Sequence, residues 1–296
     1  MSVTRLIPGG LSIPGPELEP GHVWLVGAGP GDPGHLTLHA LCALSQADTI
    51  IHDALVGADV LALARPDADC ISVGKRGGQP SARQDDITAL IIDKARQGKR
   101  IVRLKGGDPF IFGRGGEECW GLAKAAVPYR IVPGVSAGLA APTVANIPLT
   151  MRGINQAVFL ATGHGAGETG DADAIDWQVV AKLNQPIVLY MAVSKMQVIR
   201  DELVAGGMRA GMPVAIVQSA TLPEEKLLIT TLGTMMQAMR AEGVGSPAII
   251  VIGDVVSVRD QLSELAEQAR AELDQSSSGH RHGQASAGSS KVSLGE

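Results

Sequence analysis

Aromatic residues are scarce: three Phe, two Tyr and three Trp among 296 residues, or 3%. So few flat side chains leave little for stacking successive bases, which argues against a single-stranded nucleic-acid surface. Positive charge is not in excess either. Lys and Arg number 25 against 30 Asp and Glu, a net −5. A protein that coats phosphates shows the opposite sign or a dense basic stripe. Cysteine is almost absent: Cys42, Cys70 and Cys119 are odd in number, scattered and outside any C-x-x-C spacing. They support neither a disulfide framework nor a zinc site, so no metal is expected. Long apolar runs are missing as well. Stretches such as Ala248–Ile252 fall far short of the roughly 20 residues a membrane helix needs. The start, MSVTRLIPGG, lacks the apolar core of a signal peptide. These absences predict a protein of a reduced, cytoplasmic compartment, with no nucleic-acid or membrane partner.

What the chain has is glycine, 37 residues of it, and 45% hydrophobic residues. Abundant glycine with few aromatics suits an α/β protein with many tight turns. Residues 1–20, rich in Pro and Gly, read as a loose leader. Residues 266–296 are polar and of low complexity, so they read as a disordered tail despite His280 and His282. Between them, short apolar runs at 22–26, 49–52, 71–73, 101–104 and 129–132 alternate with helical patterns at 36–45, 85–97 and 117–126. This β-α-β rhythm predicts a mostly parallel sheet covered by helices. The rhythm restarts after Pro148, with strands at 157–161, 187–190, 214–218 and 248–252 and helices at 177–183, 195–205 and 233–242. Two α/β domains, 21–140 and 141–265, with a cleft between them, are the natural reading. The boundary falls within 133–150, where Pro133, Pro142 and Pro148 break the pattern.

Two glycine-rich turns follow strand patterns. The first, from Val23 to Pro33, suggests a dinucleotide loop, but Asp32 stands where G-x-G-x-x-G needs glycine. Pro30 also removes one N–H that a pyrophosphate would use. A tight turn without ligand fits that motif equally well. The second, from Arg103 to Glu118, holds Gly106, Gly107, Gly113, Gly115 and Gly116 directly after a strand. Ligands in open α/β sheets sit beyond the carboxyl ends of strands. Asp108 could accept ligand hydroxyls or simply shape a turn. Glu117 and Glu118 suit a first helical turn. By residue type alone, Asp53 reads first as a helix N-cap, and Lys75 with Arg76 as a solvated turn. Met235, Met236 and Met239 lie at helical spacing and read as core.

In order along the chain stand VGAGPGDP (26–33), HDALV (52–56), GKRGG (74–78), RLKGGDPFIFGRGGEE (103–118), VPGVSA (132–137), IPLTMRG (147–153), TGH (162–164) and YMA (190–192). With these motifs the sequence resembles the uroporphyrinogen-III methyltransferases of the tetrapyrrole methylase superfamily, over about 22–257. The resemblance implies S-adenosylmethionine held between two α/β domains, S-adenosylhomocysteine as its product, uroporphyrinogen III as substrate and a homodimer. The implied cofactor contacts are Pro30, Gly106, Gly107, Asp108, Ile111, Ser136, Ala137, Met191 and Ala220. Asp53 matches the family's proton acceptor and Lys75 its proton donor. Arg114, Glu117, Arg152 and Met191 match positions that hold the tetrapyrrole, and Arg114 is also a candidate for assisting proton removal. Ser136 stands where Thr is common and keeps its hydroxyl. Ala220, His52 and Met151 replace the frequent Gly, Tyr and His.

The implied reaction methylates C2 and then C7, giving precorrin-1 and precorrin-2 for cobalamin or sirohaem. Few residues precede the first strand pattern, so the dehydrogenase/ferrochelatase module of sirohaem synthases is not expected. Alternatives are a later precorrin methyltransferase and a non-catalytic S-adenosylmethionine-binding module. An NAD-dependent oxidoreductase is disfavoured by Pro30 and Asp32.

Overall fold

A computed structural model describes residues 2–6, 12–74, 83–163 and 175–269. Lys75, Arg76, His164, His280 and His282 lie outside the described residues. The expected loose leader contains a short antiparallel hairpin, β1 (Ser2–Leu6) with β2 (Ser12–Pro16). Gln46 holds its base: the amide oxygen accepts from Leu18 N and the amide nitrogen donates to Pro16 O.

The first half is a five-stranded parallel sheet. Its strands are β3 (Val23–Gly27), β4 (Thr49–His52), β5 (Asp69–Ser72), β6 (Ile101–Lys105) and β7 (Tyr129–Val132), in the order β5-β4-β6-β3-β7. The helices between them are α1 (Leu38–Leu44), α2 (Ala58–Leu61), α3 (Gln84–Arg96) and α4 (Gly115–Lys124). Successive side chains of a strand point to opposite faces. On β3, Trp24 and Val26 therefore pack with Leu44, Ile50, Val102 and Leu104, while Val23 and Leu25 pack with Ile51, Ile91, Ile101 and Leu122. Both faces are covered, as a parallel sheet requires.

The second half departs from the parallel expectation. Its sheet orders β11-β10-β12-β9-β8, from β8 (Phe159–Thr162), β9 (Ile187–Tyr190), β10 (Pro213–Gln218), β11 (Lys226–Thr231) and β12 (Ala248–Ile252). Only β8 and β9 run parallel; the other three pairings are antiparallel. A continuous apolar run fits either direction, so the pattern did not fix it. Helices α6 (Trp177–Lys182), α7 (Met196–Ala205) and α8 (Met235–Glu242) cover one face, where Met235 and Met239 are core as expected. Helix α5 (Ala137–Val144), within the expected boundary region, covers the other through Ala141 against Val188, Val217 and Val251. Among the described residues no helix is long and apolar enough to cross a membrane.

Candidate functional site

The carboxyl ends of β6, β3 and β7 are bare backbone in close contact. A β-carbon on Gly27 would lie 2.6 Å from both the Gly107 oxygen and the Gly134 Cα. One on Gly134 would lie 2.3 Å from the Gly107 oxygen and 2.8 Å from the Gly27 Cα. Real β-carbons do not approach so closely, so Gly27 and Gly134 need glycine for this packing, while Gly107 holds φ 66°, where glycine is favoured. A two-way bridge ties the two glycine-rich turns: Gly107 N donates to Gly29 O at 2.7 Å and Gly29 N to Gly107 O at 3.2 Å. Pro30 is the next residue. Asp32, the residue that breaks the dinucleotide pattern, accepts from Gly34 N at 2.7 Å and caps the 3₁₀ turn Pro33–His35.

Asp108 is committed to the backbone through both oxygens. Oδ1 accepts from Phe110 N at 2.9 Å and Oδ2 from Gly134 N at 3.1 Å. It shapes its own turn and fastens the end of β7 to the end of β6. Gly106, half-buried, and Gly107, at φ 66°, leave main chain open beside Ser136 and Ala137.

The second half reaches this place through Tyr190. Its buried hydroxyl bonds Ser136 Oγ at 2.7 Å and accepts from Gly138 N at 3.1 Å. Burial pushes the phenol above its ordinary 10. The Phe112 ring stands 4.8 Å from the Tyr190 ring, between centroids. A second junction joins Asp32 N to Thr221 Oγ1 at 3.1 Å, beside Gly31 and Leu222. These contacts gather the loops of all nine cofactor candidates: Pro30 beside Gly29, Gly106 to Ile111, Ser136 and Ala137, Met191 after Tyr190, and Ala220 before Thr221. Five non-glycine residues here, Phe112, Arg114, Met191, Ser219 and Thr221, have φ between 50° and 69°. Such strain is costly for side-chain-bearing residues and clusters at functional sites.

Asp53 follows β4 and is 34% exposed. It is not an N-cap, because α2 begins at Ala58 behind Gly57. Its carboxylate instead meets two cations of β6, Arg103 through Nη2 and Lys105 at 3.8 Å. Both continue inward to Glu118, which accepts from Arg103 Nε at 3.0 Å, Lys105 Nζ at 3.1 Å and Gln84 Nε2 at 2.8 Å. The sequence singled out Asp53 and Glu118 but not their partners. Alternation along β6 was the available signal: Arg103 and Lys105 share one face of a strand whose every residue is buried.

Arg114 precedes α4 and is paired bidentately with Glu117, Nε to Oε1 at 3.0 Å and Nη2 to Oε2 at 2.6 Å. Both side chains are more than half exposed, and the guanidinium holds the Glu117 carboxyl below its usual range. Arg152 is exposed on the turn at 152–154, and Met191 and Ile111 are exposed as well. Lys75 lies outside the described residues. Two other concavities are not lined by the strand-end glycines: a cavity of about 220 Å³ beside Met208, Met212 and Asp254, and a groove of about 450 Å³ between α3 and α4 that Glu117 borders. No group of three metal-ligating side chains occurs among the described residues, and Cys42, Cys70 and Cys119 are free thiols.

Residues 22–236 match the family of tetrapyrrole (corrin/porphyrin) methylases. A uroporphyrinogen-III C-methyltransferase of a Sinorhizobium species is 51% identical over 83% of this chain and 88% of that protein. The siroheme synthase of Hahella chejuensis is 43% identical over 82% of this chain but 51% of its own length. The chain thus spans about half of that relative. Among solved structures, a cobalt precorrin-4 methyltransferase of cobalamin biosynthesis superposes with a TM-score of 0.72 at 30% identity, over 80% of this chain and 96% of that one. Uroporphyrin-III C-methyltransferase of Thermus thermophilus, complexed with S-adenosylhomocysteine, gives 0.67 at 37% identity, over 80% and 99%.

Proposed function

The chain belongs to the tetrapyrrole methylase family, and from that membership we propose that it methylates uroporphyrinogen III at C2 and C7. The products are precorrin-1 and then precorrin-2, the precursor of cobalamin or sirohaem. The observation that carries this reading is the convergence of the two glycine-rich turns, the Ser136–Ala137 turn and the Met191 and Ala220 loops on one strand-end crevice. Gly106 and Gly107 fit S-adenosylmethionine, because they carry no side chain and even a β-carbon there would have no neighbour nearer than 3.5 Å, so a ligand can lie against the main chain. Gly106, Gly107, Asp108 and Ala137 offer main-chain contacts, while Pro30, Ile111, Met191 and Ala220 give apolar ones. Ser136 is kept in place by Tyr190.

S-adenosylmethionine supplies an electrophilic methyl group on its sulfonium. The chain aligns it with a nucleophilic pyrrole carbon and excludes water, and such positioning is worth about 7–11 kcal/mol. Asp53 accepts the proton that the methylated macrocycle must lose, a general-base contribution of about 10²–10⁴-fold. Lys75 donates a proton at one ring position only as a second is lost from another, so that each transfer adds one methyl and releases one proton. An arginine stays protonated, so Arg114 serves as an anchor. Glu117 occupies its Nε–Nη2 edge and orients the Nη1–Nη2 edge toward a substrate carboxylate; Arg152 offers a second guanidinium.

Counting methyl groups tests this. Purified protein is incubated without oxygen with uroporphyrinogen III and methyl-labelled S-adenosylmethionine, and the product is weighed by mass spectrometry. Two added methyls are expected. None, with S-adenosylhomocysteine binding intact, overturns the reading. The higher TM-score to the cobalt precorrin-4 enzyme favours a later precorrin as a second acceptor, but 51% identity against 30% decides for uroporphyrinogen III. The resemblance also supports a homodimer, and three thiols without a partner support a cytoplasmic setting. Light scattering and cell fractionation test these two points.

A further inference from the structure

Beneath Asp53 lies a buried cluster that the methyl-transfer scheme leaves without a task. Arg103 is satisfied on every side. It donates to Asp53, to Glu118 and to the carbonyls of Ile51 and Leu104, at 3.3 and 3.1 Å. Lys105 is not so well provided. Its ammonium is 3% exposed, with one hydrogen bond, 3.1 Å to Glu118, and one looser ion contact, 3.8 Å to Asp53. The Glu118 Oε2 atom beside it is buried without a partner. A buried ammonium with so few acceptors is the member of such a cluster that can give up its proton; a guanidinium is not.

We propose that Lys105 is a positioning residue for methyl transfer: together with Arg103, its ammonium fixes the orientation in which the Asp53 carboxylate meets the substrate proton. The proposal rests on Asp53 being the proton acceptor, as above. Arg103 grips one oxygen of Asp53, and Lys105 stands over the other. The arrangement also carries an alkaline limit. Burial, first, and Arg103, second, push the lysine below its ordinary 10.5, against the pull of Asp53 and Glu118. The other titratable groups facing it are Glu117 and Cys119, both from α4. When Lys105 loses its proton, Asp53 keeps only the Arg103 tether.

The test compares wild type, Lys105→Met and Lys105→Arg by kcat and KM against pH, together with S-adenosylhomocysteine affinity. In Lys105→Met kcat should fall about 10²-fold, the low end of a general-base contribution, with KM and S-adenosylhomocysteine affinity kept within about threefold. In Lys105→Arg kcat at neutral pH should stay within about threefold of wild type, and its fall toward about pH 10 should be shallower than that of wild type, since a guanidinium does not titrate there. An unchanged kcat in Lys105→Met, or an alkaline fall in Lys105→Arg as steep as that of wild type, overturns the proposal. If Lys105→Met does not fold, Lys105→Arg decides alone. A wild type that adds no methyl fails the proposed function, whereas a methylating wild type with an unchanged Lys105→Met fails this proposal alone.

Discussion

At Gly134 the main chain has no space for a methyl group, because the Gly107 oxygen and the Gly27 Cα already occupy it. Overpacking of this kind costs about 1–3 kcal/mol, and backbone cannot step aside as a side chain can. Gly134→Ala should therefore lower the melting temperature by about 2–10 °C and abolish S-adenosylhomocysteine binding in a calorimetric titration. A variant that melts and binds like wild type would remove the glycine contact from the account. The sequence made Gly106 and Gly107 visible, since they sit in one long motif. It hid the need for glycine at 27 and 134, whose contacts cross from strand to strand. The same distance hid Tyr190, which reaches 54 residues back to Ser136, and the cations that flank Asp53.

Among the elements, the starts of β4 and β6 are joined by one carboxylate. Asp48 accepts from Arg100 N at 2.9 Å, Nε at 3.0 Å and Nη2 at 2.7 Å, and from Arg65 Nη1 at 3.0 Å. The Arg100 hydrogen bond is the chief cause that lowers its pKa from 3.8 to about 2. A folded-state pKa below the unfolded one adds stability above the unfolded value, and this is lost as pH falls through the folded value. Asp48→Asn should thus be less stable than wild type by about 2 kcal/mol at pH 7. In urea titrations the gap should close between about pH 4 and pH 2. A gap independent of pH would point to packing instead. At the far end of α4, Ala126 holds φ 55° where glycine is favoured. Ala126→Gly should raise stability by about 1 kcal/mol, read as a higher urea midpoint at unchanged slope. Strands β3 and β4 were legible because every residue is buried and the runs are mostly apolar. Strand β11 was not, because it is an edge whose residues are exposed or only half-buried and which opens on a lysine. The pairing directions of β10 and β12 depend on how the chain returns, which no local pattern records.

In the whole molecule, a few contacts join the two halves at the site: Tyr190 with Ser136, Gly138 and Phe112, and Thr221 with Asp32. Removing the buried hydroxyl in Tyr190→Phe leaves Ser136 Oγ and Gly138 N without it, a loss of about 1–3 kcal/mol. The variant should keep its sheets by circular dichroism and bind S-adenosylhomocysteine at least about tenfold more weakly. Equal affinity would show that the Ser136 turn needs no such strut. The two-sheet plan was readable from the restart of the β-α-β rhythm after Pro148. These junctions were not, because they join loops that periodicity does not describe.

The glycine floor also sets how far the site can be adapted. A wall made of main chain has no rotamers to exchange and no side chains to trim. A donor carrying ethyl or allyl in place of methyl cannot gain room at Gly106 or Gly107, since substitution there only adds atoms. Of the proposed cofactor contacts, Ile111 and Met191 are exposed side chains that substitution can shorten. If the proposed site holds the donor, a search for broader alkyl transfer begins with those two side chains.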